Sequence, residues 1–176
     1  PTFLAEIDVI LATSTLVGKL DFDSFTIRIN DRRILKAMAA YSGFPEDSFT
    51  QVFIILDKMD KIGLDGVAAE LKECGFSEES INKYLDLFRG LETAQDGLGY
   101  LAGKLEGVLE AEVVNNLREI SDSVSATKAA EFEMVLDPTL VRGMSYYTGT
   151  IFEIAIPEFG GSCGGGGRYD KMVGKF

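Results

Sequence analysis

Two short runs near the end of the chain hold the residue types best suited to chemistry. The first, Arg142-Gly143-Met144-Ser145-Tyr146-Tyr147-Thr148, offers a guanidinium, a glycine and two phenols. The second is Gly164-Gly165-Gly166-Gly167-Arg168-Tyr169-Asp170, a glycine stretch that lets backbone approach a ligand closely. A guanidinium stays charged and presents five donors in a planar fork, which suits a carboxylate or a phosphate whose charge grows during attack. Together the runs describe a small polar substrate pocket between strands.

Each feature has a plainer use. An arginine among many carboxylates commonly forms a surface ion pair, and residue type alone favours that reading. The surrounding pattern reverses the order, because Arg142 follows apolar Leu140-Val141 and Gly143 turns the chain behind it. Adjacent tyrosines in extended backbone point to opposite faces, so one of Tyr146 and Tyr147 enters the pocket while the other packs beneath it. Aromatic packing at a strand entrance is the commoner role of tyrosine. The glycines lack the G-K-[ST] ending of a phosphate-binding P-loop and the βαβ setting of a dinucleotide fingerprint. A glycine run is usually a flexible loop, but Arg168-Tyr169-Asp170 behind it favours a ligand-facing strand edge.

The elements that position these runs follow from periodicity. Apolar residues from Leu4 to Leu20 fall at helical spacings and predict an amphipathic helix. Phe25, Ile27 and Ile29 alternate with polar residues, predicting a half-buried strand, and Asn30-Asp31 supply the turn and cap of a helix starting near Arg32. From about Ile34 to about Ala130 nearly every window is helical, broken by Gly43-Phe44-Pro45, Gly63, Gly75, Gly90 and the cluster from Gly97 to Gly107. Pro45, the acidic pair Glu46-Asp47 and Ser77 mark helix starts. Period two then returns at Phe132, Met134 and Leu136, and again from Thr150 to Ile156, ended by Pro157. Arg168 to Phe176 is expected to begin a further helix. The pattern is a strand layer interrupted by a helical insertion.

Composition bounds the function. With 176 residues, 46% apolar and 26% charged, the chain holds one ordinary domain or a core layer with an appendage. No apolar run approaches the roughly 20 residues of a spanning helix, and no signal pattern opens the chain. It begins at Pro1 and reads as a piece of a longer protein. The absence of histidine removes Ser-His and Cys-His nucleophile pairs and any zinc set built on Cys74 and Cys163. Both thiols are expected to be reduced and partly buried. The net charge of −11 comes from the middle, since residues 36 to 141 hold nine basic and twenty acidic side chains. That segment repels a phosphate backbone, so any RNA contact must be local.

The two runs resemble the histidine-binding loops of histidyl-tRNA synthetases, where R-G-x-x-Y-Y-[TN]-G leads into a strand and G-G-R-Y-D follows. The match extends to Leu140-Val141 and to Thr150-Ile151-Phe152-Glu153. Asn30-Asp31-Arg32-Arg33-Ile34-Leu35 resembles the strand-to-helix step before that family's insertion domain. The resemblance implies an α+β fold, part of a class II synthetase antiparallel sheet with an inserted all-helical domain. Residues 1–33 and 131–176 then belong to the catalytic core and residues 34–130 to the insertion.

It further implies histidyl-adenylate formation from histidine and ATP, then transfer to tRNA(His), in a cytoplasmic homodimer without membrane contact. Arg142 would be the catalytic cation, and Gly143, Tyr146, Tyr147, Gly165, Gly166 and Arg168 would bind substrate. No metal ligand and no bound cofactor are expected; ATP brings Mg²⁺ as a substrate complex. Ser145 stands where the family commonly carries an acidic residue, and Cys163 receives no role. The family's first and second motifs before this segment, and its third motif and anticodon-binding domain after it, are missing, so the chain alone is expected not to aminoacylate. Two alternatives stand beside this one. A histidine-sensing regulatory paralogue of ATP phosphoribosyltransferase would be expected to lack the insertion and the Arg142-type cation, and a non-catalytic helical interaction module would use the acidic middle.

Overall fold

The structure is a computed structural model, and it describes residues 3–22, 24–143, 146–172 and 174. Met144 and Ser145 of the first run lie outside the described residues, as do Val173, Lys175 and Phe176. Helix α1 (Leu4–Lys19) leads to β1 (Phe25–Asp31), then α2 (Arg32–Ser42), α3 (Phe49–Leu56), α4 (Met59–Glu73), α5 (Glu78–Thr93), α6 (Gly97–Lys104) and α7 (Ala111–Thr127). The chain closes with β2 (Phe132–Leu136), β3 (Thr150–Ile156) and β4 (Gly161–Gly167).

Local chemistry explains the boundaries. Asp31 ends β1 and caps α2, its carboxylate accepting from the Arg33 N–H at 2.8 Å. Ser77 and Asp96 accept from the N–H groups of Ser80 and Gly99 in the same manner at the starts of α5 and α6. Asn30, expected to share the turn, instead lies inside β1 and is fully buried. Inside α4 the backbone at Gly63, one of the glycines expected to break the helical pattern, leaves helical geometry and kinks the segment.

The strands form one sheet in the order β2-β1-β3-β4. β3 runs antiparallel to both β1 and β4, but β1 and β2 are parallel, pairing Phe25 with Phe132 through Ile29 with Leu136. The expected antiparallel sheet is therefore mixed at one edge. Between β1 and β2 lie all the helices from α2 to α7, and such a long crossover brings the chain back in the same direction, which a tight hairpin cannot do. One face of β1, carrying Phe25, Ile27 and Ile29, is buried, and Phe25 stacks on Phe132 with ring centroids 5.2 Å apart.

The apolar core is continuous from the sheet into the helices, including Ile10 of α1, Leu35 of α2, Leu71 of α4 and Leu117 of α7. Within the helical part, Tyr84 packs edge-on against Phe44 and Phe88. No helix among the described residues is long and apolar enough to cross a membrane. One expectation fails at the surface. Cys74 and Cys163 are both free and exposed rather than partly buried, one beyond the end of α4 and one on the sheet's outer strand. After Arg168 the described residues turn, Met172 N–H donating to the Tyr169 carbonyl at 3.3 Å, and Val173, Lys175 and Phe176 of the helix expected to begin here lie outside the described residues.

Candidate functional site

Three strands align one row of residues across the same face of the sheet. In register, Arg28 of β1 stands opposite Glu153 of β3, and Glu153 opposite Gly165 of β4. Glu153 is the only charged residue in the sequence Thr-Ile-Phe-Glu-Ile-Ala-Ile that makes up β3. The segment between β2 and β3 lays Arg142 over this row. Its approach is fixed by Asp137, whose carboxylate accepts from the Thr139 N–H at 2.9 Å, and by Asn30, whose Nδ2 donates to the Leu140 carbonyl at 3.1 Å. Leu140 and Val141 are buried, so Arg142 leaves the core with little freedom at its base.

The Arg142 Nη1 donates to Glu153 Oε2 at 2.6 Å and to Ser162 Oγ at 2.8 Å. Glu153 Oε1 accepts from Arg28 Nη1 at 3.1 Å, and Arg28 is held in turn by Asp137 and by Asp60 of α4. Gly165 makes the close approach possible: a Cβ there would stand 2.6 Å from the Phe152 carbonyl oxygen and 3.0 Å from Arg142 Cζ. Among the described residues, no side chain takes a hydrogen bond from Arg142 Nη2 or Nε. The arrangement can present those donors to an anionic group. Arg28, Asp57, Asp60, Lys61, Glu153 and Ser162 help line a cleft of about 620 Å³ beside this row. Burial, followed by the charges of Glu153 and Asp60, raises the Asp57 carboxyl above its ordinary range.

The tyrosines adopt a different geometry from the one expected. Tyr146 and Tyr147 N–H groups both donate to the Gly143 carbonyl, at 3.2 and 3.0 Å, so the chain is curled rather than extended. Their rings consequently lie together, with centroids 4.5 Å apart, instead of on opposite faces. Gly143 has φ 55°, and any Cβ there would collide with the Tyr147 ring, so the position is glycine on both counts. Tyr147 is half-buried over Gly167, on the same sheet face as Arg142, and burial, then Tyr146, pushes its phenol pKa up. Tyr146 is exposed. Both phenols line a recess of about 370 Å³ with Arg32, Lys36 and Lys171, separate from the cleft beside Arg28 and Glu153.

Arg142, Gly143, Tyr147 and Gly165 are thus gathered on one face. Gly166 and Arg168 are not. Gly166 leaves room on the other face for the Phe152 ring, 3.0 Å from where its Cβ would be. Arg168 reaches α1, donating to Glu6 Oε1 at 3.1 Å and to Asp170 Oδ1 at 2.8 Å, and those two carboxylates hold its pKa up. Thr148 Oγ1 donates to Asp170 at 2.9 Å, which ties the tyrosine turn to the glycine strand. Glu153, Arg28 and Tyr169 carry geometry that motif reading passed over. Glu153 was visible as the lone charge on β3 and Arg28 as the one basic residue on β1, and Tyr169 packs 6.3 Å from Tyr147, centroid to centroid.

The family model described as histidyl-tRNA synthetase matches residues 2–176. The histidine–tRNA ligase of Leifsonia xyli subsp. xyli is 40% identical over 98% of this chain, which covers 41% of that protein. The crystal structure of histidyl-tRNA synthetase from Nostoc sp. PCC 7120 superposes with a TM-score of 0.82 at 27% identity, over 99% of this chain and 42% of its own. The ATP phosphoribosyl transferase complex from Thermotoga maritima contains a chain with TM-score 0.59 at 16% identity, over 84% of this chain and 49% of its own, a likeness of fold alone. This chain spans about two-fifths of the length of the curated relatives it matches. On the family match and the identity to these ligases, the chain belongs to the histidyl-tRNA synthetase family.

Proposed function

We propose that the protein containing this chain joins histidine to ATP as histidyl-adenylate and passes the histidyl group to tRNA(His). One observation carries the reading: Arg142 is fixed through Nη1 over a glycine, and among the described residues no side chain takes its remaining donors. In this reaction a histidine carboxylate oxygen attacks the α-phosphorus, and the bond to the β-phosphate oxygen breaks to release pyrophosphate. Charge accumulates on the α-phosphate oxygens, where a preorganised guanidinium is most effective. Mg²⁺ arrives with ATP as part of the substrate. Tyr147 and Gly143 shape the histidine side of the pocket, with Tyr146 at its rim; residues 34–130 act as an inserted domain in a cytoplasmic homodimer. Gly166 and Arg168 support the pocket from the opposite face through Phe152, Glu6 and Asp170.

The test is amino-acid-dependent exchange of labelled pyrophosphate into ATP, using the full product of the reading frame that carries this sequence. Exchange is expected with histidine and with no other amino acid, and Arg142→Ala should lower it by about 100-fold or more. Histidine binding without any exchange would overturn the proposal and favour the regulatory paralogue.

A further inference from the structure

We infer that Glu153 is the positioning residue for Arg142, and that it sets the guanidinium's orientation rather than merely balancing charge. The inference rests on the histidine-activating reading. Its geometry is specific: the two oxygens of one carboxylate are divided between two arginines, Oε1 to Arg28 at 3.1 Å and Oε2 to Arg142 at 2.6 Å. Arg28 is not a loose counter-ion, because Asp137 and Asp60 hold its other donors. The carboxylate is therefore anchored on one side before it meets Arg142.

Three further facts make this an orienting device. Glu153 sits on the central pair of strands, between Arg28 and Gly165 in register, so its Cα cannot shift without disturbing two ladders. Its side chain is only 12% exposed, whereas that of Arg142 is 31% exposed, so the fixed partner is the acid and the presented partner is the base. Finally, the glycine at position 165 permits the guanidinium to lie against the β4 backbone, leaving Glu153 and Ser162 to define its rotation. A planar cation held at one nitrogen by a fixed acceptor has its remaining fork aimed, and second-layer carboxylates of this kind commonly control the group they hold.

A merely structural Glu153 and an orienting one differ in how they combine with loss of Arg142. On the full product, Glu153→Gln is expected to lower kcat for histidine-dependent exchange by about 10- to 100-fold, with KM for histidine and ATP changing less than about threefold. In an Arg142→Ala background the same change should cost less than about twofold, because the residue it positions is gone. An undiminished loss in that background overturns the inference. If Glu153→Gln does not fold, Glu153→Asp replaces it; this keeps the charge but withdraws the carboxylate, and the same cycle applies.

A second readout does not depend on turnover. In protein labelled with ¹⁵N-arginine, the Arg142 Nη1–H signals, assigned by their loss in Arg142→Lys, should exchange with water faster in Glu153→Gln, because Nη1 is the nitrogen that Glu153 holds. An unchanged signal overturns the inference even if exchange activity is absent. Absent activity with an altered signal would remove the functional reading and leave the positioning intact.

Discussion

On the outer surface of α4 and α5 the ion pairs Lys72–Glu78, Lys83–Glu79 and Arg89–Asp86 leave every partner more than half exposed, whereas on the sheet face Glu153 is 12% and Arg28 22% exposed. The helical pairs each join two side chains and are screened by water, so each contributes little to stability. The sheet-face ions share partners across three strands and a loop. Removing one of them strands another half-buried charge, which is costly in a way that losing a surface pair is not. The same contrast holds for glycine. Gly63 kinks α4, whereas Gly165 and Gly166 on β4 make room for Arg142 on one side of the strand and Phe152 on the other.

Paired alanine substitutions at Gly165 and Gly103 give the sharpest version of this contrast. A Cβ at Gly165 meets backbone and Arg142, so Gly165→Ala should destabilise by about 1–3 kcal/mol and lower histidine-dependent exchange at least about tenfold. Nothing lies within 4 Å of a Cβ at Gly103 in α6, so Gly103→Ala should stabilise by about 0.5–1 kcal/mol and leave exchange unchanged. Urea midpoints and exchange rates measured side by side decide it. Equal effects at the two sites would erase the distinction between punctuating and space-making glycines.

These differences were partly legible in the sequence. The alternation in β1 and β3, the Asp31 cap and the Gly165 approach all depend on nearest neighbours or on a two-residue period, and reading residues in order finds them. The curl at Gly143 was hidden, because it needs two successive N–H groups converging on one carbonyl, and nothing in Tyr146-Tyr147 distinguishes that from an extended pair. Arg168 was assigned to the pocket through its motif, yet a one-residue step from Gly167 puts it on the opposite face, where Glu6 of α1 receives it. That partner is 162 positions away in the chain, beyond any local pattern. The parallel entry of β2 was likewise a property of the whole crossover.

The helical region can be probed in its interior as well as at its surface. Tyr84 is fully buried between Phe44 and Phe88, burial pushes its phenol pKa up, and its hydroxyl has no hydrogen-bond partner among the described residues. Tyr84→Phe keeps the ring stacking and removes the unsatisfied polar atom, so it should raise stability by about 1 kcal/mol. Chemical denaturation compares it directly with the parent. A loss of similar size would mean that this core, like the sheet face, relies on a polar contact.

Asp57 sits where the two regions meet, just after α3 and lining the cleft with Glu153, and it should show the smallest effect. Burial first, then the negative charges of Glu153 and Asp60, raise its carboxyl above the ordinary value of 3.8, against the pull of Lys61 and Arg28. An acid raised by folding binds its proton more tightly in the folded state. Stability contributed by that proton is therefore present at low pH and falls as pH rises from 3.8 through the raised value, after which the penalty is constant. Asp57→Asn carries no such penalty, so it should unfold at higher urea than the parent at pH 7 and lose that advantage below pH 3.8. The gain is small, because an exposed carboxylate is largely screened. Were the advantage the same at both pH values, it would come from packing of the amide, and the acidic face of the cleft would not be felt at α3.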